Sequence, residues 1–469
     1  MKRTPFISTI LILFLHVNCI SNYPSDYPED YQIEPSDGSW VQPWKGNPWY
    51  WQYKEKPVLL LGASNDDNLF QWPEDILISH LDSMRNIGAN YVRNTMSDRK
   101  DRGFELYAFL QLEDGKYDLD QWNEEYWNRF DFFLKETAKR EIIVQIEVWD
   151  RFDFWDKNWL PHPFNPANNV NYTSILSGLE LLYPLHPGSN VQPFFFTTPG
   201  QKNNVVLLNY QLRFVEKMLS ISLNYDHILY CIDNETSAQE AWGAYWAEFI
   251  LGKAAKKDKS IYVTEMWDDW NLKSDKHKRT FDHRERYSFC DISQNTWQDG
   301  QVLWDNFQWV RDYLSIHPRP INVVKTYRRN DKGIESWWKH VIGGVASSRF
   351  HRPTSGWGLS EASAASVKAA RKIESVVKFW ELTPGNDLLS MRDENEAYLT
   401  SKPGEFYVIY FTNGGAVGLD LHAFSSKFKL KWLKLSTGVW ISEETIDGGR
   451  IVGINAPGGG GWVAVINKK

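Results

Sequence analysis

Acids, amides and tryptophans gather at the ends of a series of short apolar runs. One run ends Ser64-Asn65-Asp66-Asp67-Asn68 and the next carries Arg93-Asn94. A third places Gln145, Glu147 and Trp149 on one face and ends at Asp150. Later runs end Asp233-Asn234-Glu235, Glu265-Met266-Trp267-Asp268-Asp269 and Gln294-Asn295-Thr296-Trp297, and another holds Lys325 and Tyr327. This set suits cleavage of a glycosidic bond. That reaction takes one carboxylic acid to protonate the leaving oxygen and one carboxylate to attack or to activate water. Indole faces stack on the C–H face of a pyranose while polar neighbours bond its hydroxyls. Glu235, inward at a strand end behind Asn234, is the first candidate for the proton donor. Its neighbours are expected to raise its pKa, so that it stays protonated near neutral pH. Asp67, Asp268 and Asp269 are read as helix caps or solvated acids, because helix N-termini favour Asp and Glu.

Bringing these residues to one rim requires parallel strands joined by helices. From residue 56 the chain alternates apolar runs with amphipathic stretches, the signature of an α/β fold with a parallel sheet. The spacing predicts strands over 57–64, 90–96, 142–150, 227–235, 260–267, 289–297 and 320–328, and a short one over 349–353. Helices are predicted over 74–87, 126–140, 210–222, 238–256, 302–316, 335–347 and 360–379. Eight such units make a closed (β/α)8 TIM barrel over 41–383, whose site lies at the C-terminal ends of the strands. The long aromatic, Pro- and Asn-rich stretch 151–205 is a functional loop by its length. Beyond 383 helical periodicity stops. Short alternating strands divided by Gly, Asn and Pro predict an all-β sandwich over 384–469.

Composition narrows the classes. The 469 residues carry 52 basic and 59 acidic side chains, a net −7, which is no footprint for nucleic acid. Aromatic residues make up 15% of the chain, with 24 Trp, 22 Tyr and 25 Phe; they fit either a large aromatic core or sugar stacking. Met1-Lys2-Arg3 and the apolar stretch 5–17 read as an export signal over 1–19, too short for a mature membrane span. Cys19 follows it directly, either as a lipid-bearing residue anchoring the protein to a membrane or as part of a cleaved leader. Residues 20–40, rich in Pro, Tyr and acids, read as a tether. The expected location is periplasmic, outer-membrane-anchored or extracellular. Cys231 and Cys290 lie in strands that are not neighbours and are expected to be buried free thiols. Nothing matches a P-loop, a dinucleotide-binding glycine motif, HExxH or a CxxC metal site, and no cofactor or metal is expected.

Asn234-Glu235 ending the fourth strand, with Arg93 in the second strand Gly88-Ala89-Asn90-Tyr91-Val92-Arg93, resembles the large clan of retaining (β/α)8 glycosidases. The likeness narrows with Lys56-Pro57-Val58-Leu59-Leu60-Leu61-Gly62, Tyr407-Val408-Ile409-Tyr410, Lys431-Trp432-Leu433 before Thr437-Gly438, and Ala456-Pro457 before Gly461-Trp462-Val463. These resemble apiosidase-like glycoside hydrolases, which carry a terminal domain named for collagen binding. The resemblance implies that Glu235 is the acid/base, that Asn234 holds the sugar 2-hydroxyl and that Arg93 supports the nucleophile. It also implies a nucleophilic Glu on the seventh strand, where this chain has Pro320-Ile321-Asn322-Val323-Val324-Lys325 instead. Several readings stay open. The second carboxylate is supplied by another strand, with Glu265 first and Glu147 or Asp66 behind it, in an inverting mechanism. Or the protein has kept glycan binding and lost hydrolysis. Lys325 either binds an anionic sugar or pairs with Glu265 or Glu235. Arg328, Arg329, Arg349, His351 and Arg352 on the same rim support an acidic substrate. Trp149, Trp267 and Trp297 are stacking candidates, and Asn295 and Tyr327 further sugar contacts.

Overall fold

The computed structural model describes residues 39–469; the export signal, Cys19 and most of the tether lie outside them. Eight parallel strands form the centre: β1 Leu60–Ala63, β2 Tyr91–Thr95, β3 Ile143–Asp150, β4 Ile228–Asn234, β5 Val263–Thr264, β6 Cys290–Asp291, β7 Ile321–Thr326 and β8 Ser347–Phe350. Ladders run β2-β3-β4-β5 and β6-β7-β8-β1. Hydrogen bonds close the two seams, Asn90 N–H to Leu61 O (2.9 Å) and Thr95 N–H to Asp67 O (2.6 Å) at one, and Ser288 N–H to Val263 O (2.9 Å) and Val263 N–H to Ser288 Oγ (2.9 Å) at the other. The β1–β2 seam needs a glycine. A Cβ on Gly62 would stand 2.4 Å from the Tyr91 carbonyl oxygen.

Eight longer helices surround the strands: α1 Glu74–Asn86, α2 Glu124–Lys139, α3 Val205–Ser222, α4 Glu240–Ala255, α5 Asp275–Phe281, α6 Gly300–Tyr313, α7 Asp331–Ile342 and α8 Glu361–Glu374. Local chemistry sets several of their starts. Asn123 and Asn204 accept N–H bonds from the first turns of α2 and α3, and Ser360 and Ser363 form a capping box on α8. No helix among the described residues is long and apolar enough to cross a membrane.

A polar network crosses the barrel interior. The Tyr91 hydroxyl donates to Gln145 Oε1 (2.6 Å), and Gln145 Nε2 donates to Asp291 Oδ2 (3.1 Å). Asn322 Nδ2 donates to Tyr91 and to Gln145 (both 3.2 Å). A three-stranded sheet of Gln42–Pro43, Trp51–Tyr53 and Lys56–Val58 closes the N-terminal end. Its Trp51 indole enters between Tyr262 and Phe289 and donates to Asn322 Oδ1 (2.9 Å).

Nine further strands follow: β9 Thr383–Pro384, β10 Leu389–Ser390, β11 Ala397–Lys402, β12 Phe406–Phe411, β13 Ala416–Asp420, β14 Lys427–Lys434, β15 Val439–Asp447, β16 Ile451–Asn455 and β17 Trp462–Lys468. They form a six-stranded sheet (β9-β11-β12-β17-β14-β15) and a three-stranded one (β10-β13-β16). Leu399, Ile409, Phe411, Trp432 and Ile466 fill the space between the sheets with Val417 and Ile454. The intervening residues Tyr398, Val408, Tyr410, Val463 and Val465 turn to the opposite face and join the barrel core. There Tyr398 meets Trp304 of α6 at 4.6 Å and Tyr410 meets Trp338 of α7 at 6.0 Å. Both faces of the sheet are thus buried at its central strands, which is why β12 reads as the unbroken run FYVIYF, while the edge strand β15 stays exposed.

Two sequence expectations change. The strands predicted over 260–267 and 289–297 shrink to two residues each. After β6 the Asp291 carboxylate accepts the Ser293 N–H (2.9 Å), and the chain turns into a 3-10 helix over Ser293–Trp297. Cys231 and Cys290 are buried and free, as expected.

Replacing Trp51 by alanine removes a large core side chain and leaves Asn322 Oδ1 without its donor. The expected loss is about 3–5 kcal/mol, read as a lower urea midpoint at unchanged slope.

Candidate functional site

The residues that meet at the C-terminal rim centre on Glu235. It lies one position beyond β4 with φ +55, the left-handed region that a glutamate enters only under constraint. Its Oε1 accepts from Lys325 Nζ at 2.5 Å and from the Tyr327 hydroxyl. Lys325 also donates to Asn234 Oδ1. A register irregularity in β7 between Val323 and Thr326 makes this possible. Asn322 and Lys325 differ by an odd number of positions, yet both reach the barrel interior.

The charges decide the protonation state. Burial pushes Glu235 up, but the Lys325 ammonium, its hydrogen bond and that of Tyr327, and Arg93 outweigh this and hold it at about 2. The sequence expectation is therefore reversed: Glu235 is ionised at neutral pH, because a lysine stands where the resemblance implies a second carboxylate. Beside it Arg93 pairs with Glu147 through two contacts (Nε–Oε1 2.7 Å, Nη2–Oε2 2.6 Å) and with Asp67 Oδ2 (2.8 Å). Burial dominates at Glu147 and raises it. At Asp67 the upward push of burial loses to Arg93, His351 and Arg352, and its pKa falls well below the usual range.

Tyr327 stacks on Trp297 at 4.6 Å, and the Trp297 indole bonds Gln294 Oε1 (2.8 Å). Trp297 remains 52% exposed, so one face is open to a ligand at the rim. The other two stacking candidates are covered. Trp149 is 3% exposed, packed among Phe194, Phe214, Trp242 and Trp246. Trp267 is 1% exposed and donates to Thr280 of α5 (2.8 Å). The sequence reading passed over Trp270, which is 57% exposed in the loop after β5. A tryptophan out of phase with its strand, beside two aspartates, was the available signal.

The remaining predicted residues take other places. Asn295 is buried in the 3-10 turn, where it donates to Leu303 O (3.0 Å) and accepts from Asn306 (3.2 Å), so it supports α6. Asp66 is occupied by Trp72 Nε1 (2.9 Å), Arg102 Nε (2.7 Å) and the Asp67 N–H (2.9 Å). Glu265, the first candidate for the second carboxylate, is enclosed. Its Oε1 accepts the N–H groups of Asp233 (3.0 Å) and Met266 (3.1 Å), and its Oε2 lies against Gly243 of α4. Burial and Asp233 push its pKa well up. Nor does it pair with Lys325, whose carboxylate partner is Glu235. The rim cations are largely engaged: Arg328 pairs with Asp299 (2.5 Å), and Arg349, His351 and Arg352 converge with Arg93 on the one carboxylate of Asp67 (3.1, 3.5 and 3.3 Å for the first three).

One cluster has a metal-like donor set. Asp98, Asp153 and His162 bring ligand atoms within 4.8 Å of one another, beside a cavity of about 180 Å³ lined by Arg99, Lys100, Tyr107 and Lys157. His162 Nδ1, however, accepts the Phe164 N–H (3.1 Å), which leaves Nε2 as the protonated nitrogen, 3.6 Å from Asp98. A metal-bound imidazole donates from its other nitrogen, so this histidine is not oriented as a metal ligand.

No family model matches the chain, and no curated protein matches it. Solved structures do. A family 5 glycoside hydrolase from Bacteroides vulgatus superposes over 92% of this chain and 94% of its own, with a TM-score of 0.59 at 12% identity. A second structure, described as a glycoside hydrolase, covers 92% and 97% with a TM-score of 0.60 at 11% identity. At such identities the likeness establishes the fold, a (β/α)8 barrel with antiparallel sheets after it.

Lys325→Met should release Glu235. With the ammonium gone and only Tyr327 and Arg93 left to oppose burial, its pKa should rise from about 2, read by carbon-13 NMR titration of the carboxyl.

Proposed function

We propose that this protein is an exported glycoside hydrolase acting on a polysaccharide or oligosaccharide. The observation that carries the reading is an ionised carboxylate, Glu235, beside an open aromatic face, Trp297 on Tyr327, at the C-terminal rim of a (β/α)8 barrel. The rim is where such barrels do chemistry, and the fold neighbours described as glycoside hydrolases point to the same substrate class. Glu235 acts as the carboxylate of the reaction, not as its proton donor, since a donor must be protonated when the leaving group departs. Lys325 and Tyr327 hold it in place, while Arg93 braces the site through Glu147 and Asp67. A neutral glycan suits the site better than an acidic one, because most rim cations already face carboxylates. No cofactor enters this scheme. Export through residues 1–19, a lipid anchor at Cys19 and the apiosidase-like subtype remain part of the proposal on the strength of the sequence motifs.

Lys325 in place of a seventh-strand carboxylate favours one competing reading, a surface glycan-binding protein that no longer cleaves. A panel of neutral and acidic oligosaccharides separates the two. Wild type should release products, Glu235→Gln should lose turnover at least a hundredfold, and Trp297→Ala should raise KM about tenfold, the effect of about 1.4 kcal/mol of lost contact. Binding without any cleavage by wild type would establish the second reading.

A further inference from the structure

We propose that Asp268 is the second catalytic carboxyl, the group that gives its proton to the departing sugar oxygen. This rests on the glycosidase reading above. The placement comes from the backbone. Beyond the last ladder residues of β4 and β5, the Thr236 N–H donates to Met266 O (2.7 Å) and the Asp268 N–H donates to Thr236 O (2.8 Å). Thr236 and Trp267 form a parallel bridge there. The bridge carries both strands past their formal ends and sets residues 235 and 268 on one face of the pair, diagonal to each other across Thr236 and Trp267. Trp267 goes under α5, and its neighbour Asp268 takes the opposite side, toward Glu235.

Asp268 is also the rim acid left uncommitted. Glu147 is locked by Arg93, Asp66 by three donors, Asp67 by its cationic neighbours and Glu265 by two backbone N–H groups. Among the described residues, no hydrogen bond to the Asp268 carboxyl is seen. The residue is half-buried, and Gly188 of the long loop lies over it, so that a Cβ there would come within 3.4 Å of Oδ2. The charged groups facing it are Glu235 after β4, Lys325 on β7, Arg151 and His186 of the long loop, and Lys276 of α5. Burial and then Glu235 raise its pKa, against the lowering effect of Lys325, His186 and Lys276. The two neighbouring carboxyls are thus pushed in opposite directions, which is how one site separates an acid from a base.

The step balances. The C1–O bond breaks with its electron pair on the leaving oxygen, which takes the Asp268 proton. The oxygen of water bonds to C1, and the proton it sheds passes to Glu235. One water is consumed and two hydroxyls form; the proton then returns from Glu235 to Asp268 through solvent.

The test uses phenyl and 2,4-dinitrophenyl glycosides of glucose, mannose, galactose and arabinose, because the dinitrophenolate leaves without protonation. Asp268→Asn should lose turnover of the phenyl glycoside about a hundredfold or more, keep the dinitrophenyl glycoside within about tenfold, and lose the alkaline limb of the pH profile. Asp268→Glu should restore that limb in part. Glu235→Gln should lose both substrates. Equal losses on the two substrates by a folded Asp268→Asn protein, or an alkaline limb that persists in it, would overturn the assignment and leave the glycosidase reading standing. If the variant does not fold, wild type decides: an alkaline limb equal for both leaving groups excludes Asp268. If wild type turns over no glycoside in this set or in the oligosaccharide panel, the glycosidase reading fails and this inference with it.

Discussion

The contact between Lys325 and Glu235 sets the terms for everything around it. Both charges are removed from most of the solvent, with 1% and 15% of their side chains exposed. Charges taken out of water are tolerated when they are paired and their remaining hydrogen-bonding capacity is met. Asn234 and Tyr327 meet it here. The irregularity in β7 aims the lysine, and the left-handed backbone at Glu235 aims the carboxylate. Such backbone costs of order 1–3 kcal/mol and persists only where the surroundings over-determine it. Beneath the pair, the polar network from Trp51 through Asn322 and Gln145 to Asp291 fixes the strands from which these residues rise.

Two unlike carboxyls stand near this one cation, which acts downward on the pKa of both. In a barrel with a carboxylate on the seventh strand, two acids would compete for a proton. With a lysine there, the fourth-strand glutamate is held ionised, while burial first and the charge of Glu235 second raise Asp268 against the pull of the same lysine. The separation of the two groups thus arises because burial outweighs the lysine at Asp268 and the lysine outweighs burial at Glu235.

Much of the barrel was legible in the sequence, because βα alternation is a long-range signal repeated eight times. Six of the strand ends fell close to their predicted positions. The failures lie where one local interaction overrode the pattern. The Asp291 carboxylate captured the Ser293 N–H and curled the expected sixth strand into a turn, which took Asn295 away from the rim. The fifth strand stopped at Thr264, so alternation counted through Glu265 and Trp267 could not show that both are covered, one by α4 and one by α5. Helix α5 is seven residues of mostly charged side chains and offers little apolar period to detect. The depressed pKa of Glu235 was not legible, since it depends on which carboxylate the lysine reaches. Aromatic richness likewise resolves only in three dimensions. Trp51, Trp127, Trp242, Trp246, Trp337 and Trp338 belong to the core, whereas Trp270 and Trp297 stand open.

The central strands β11, β12 and β17 of the larger sheet have no face of their own to offer to water. Tyr398, Val408, Tyr410 and Val463 are as much part of the barrel as of the strands that carry them. Cut away, the sheet would expose a broad apolar surface of the kind that drives association, and α6 and α7 would lose their cover. This sandwich is therefore not a portable cassette. Recombination cannot move it to another catalytic unit unless the recipient supplies helices shaped like these, so its inheritance should follow that of its barrel.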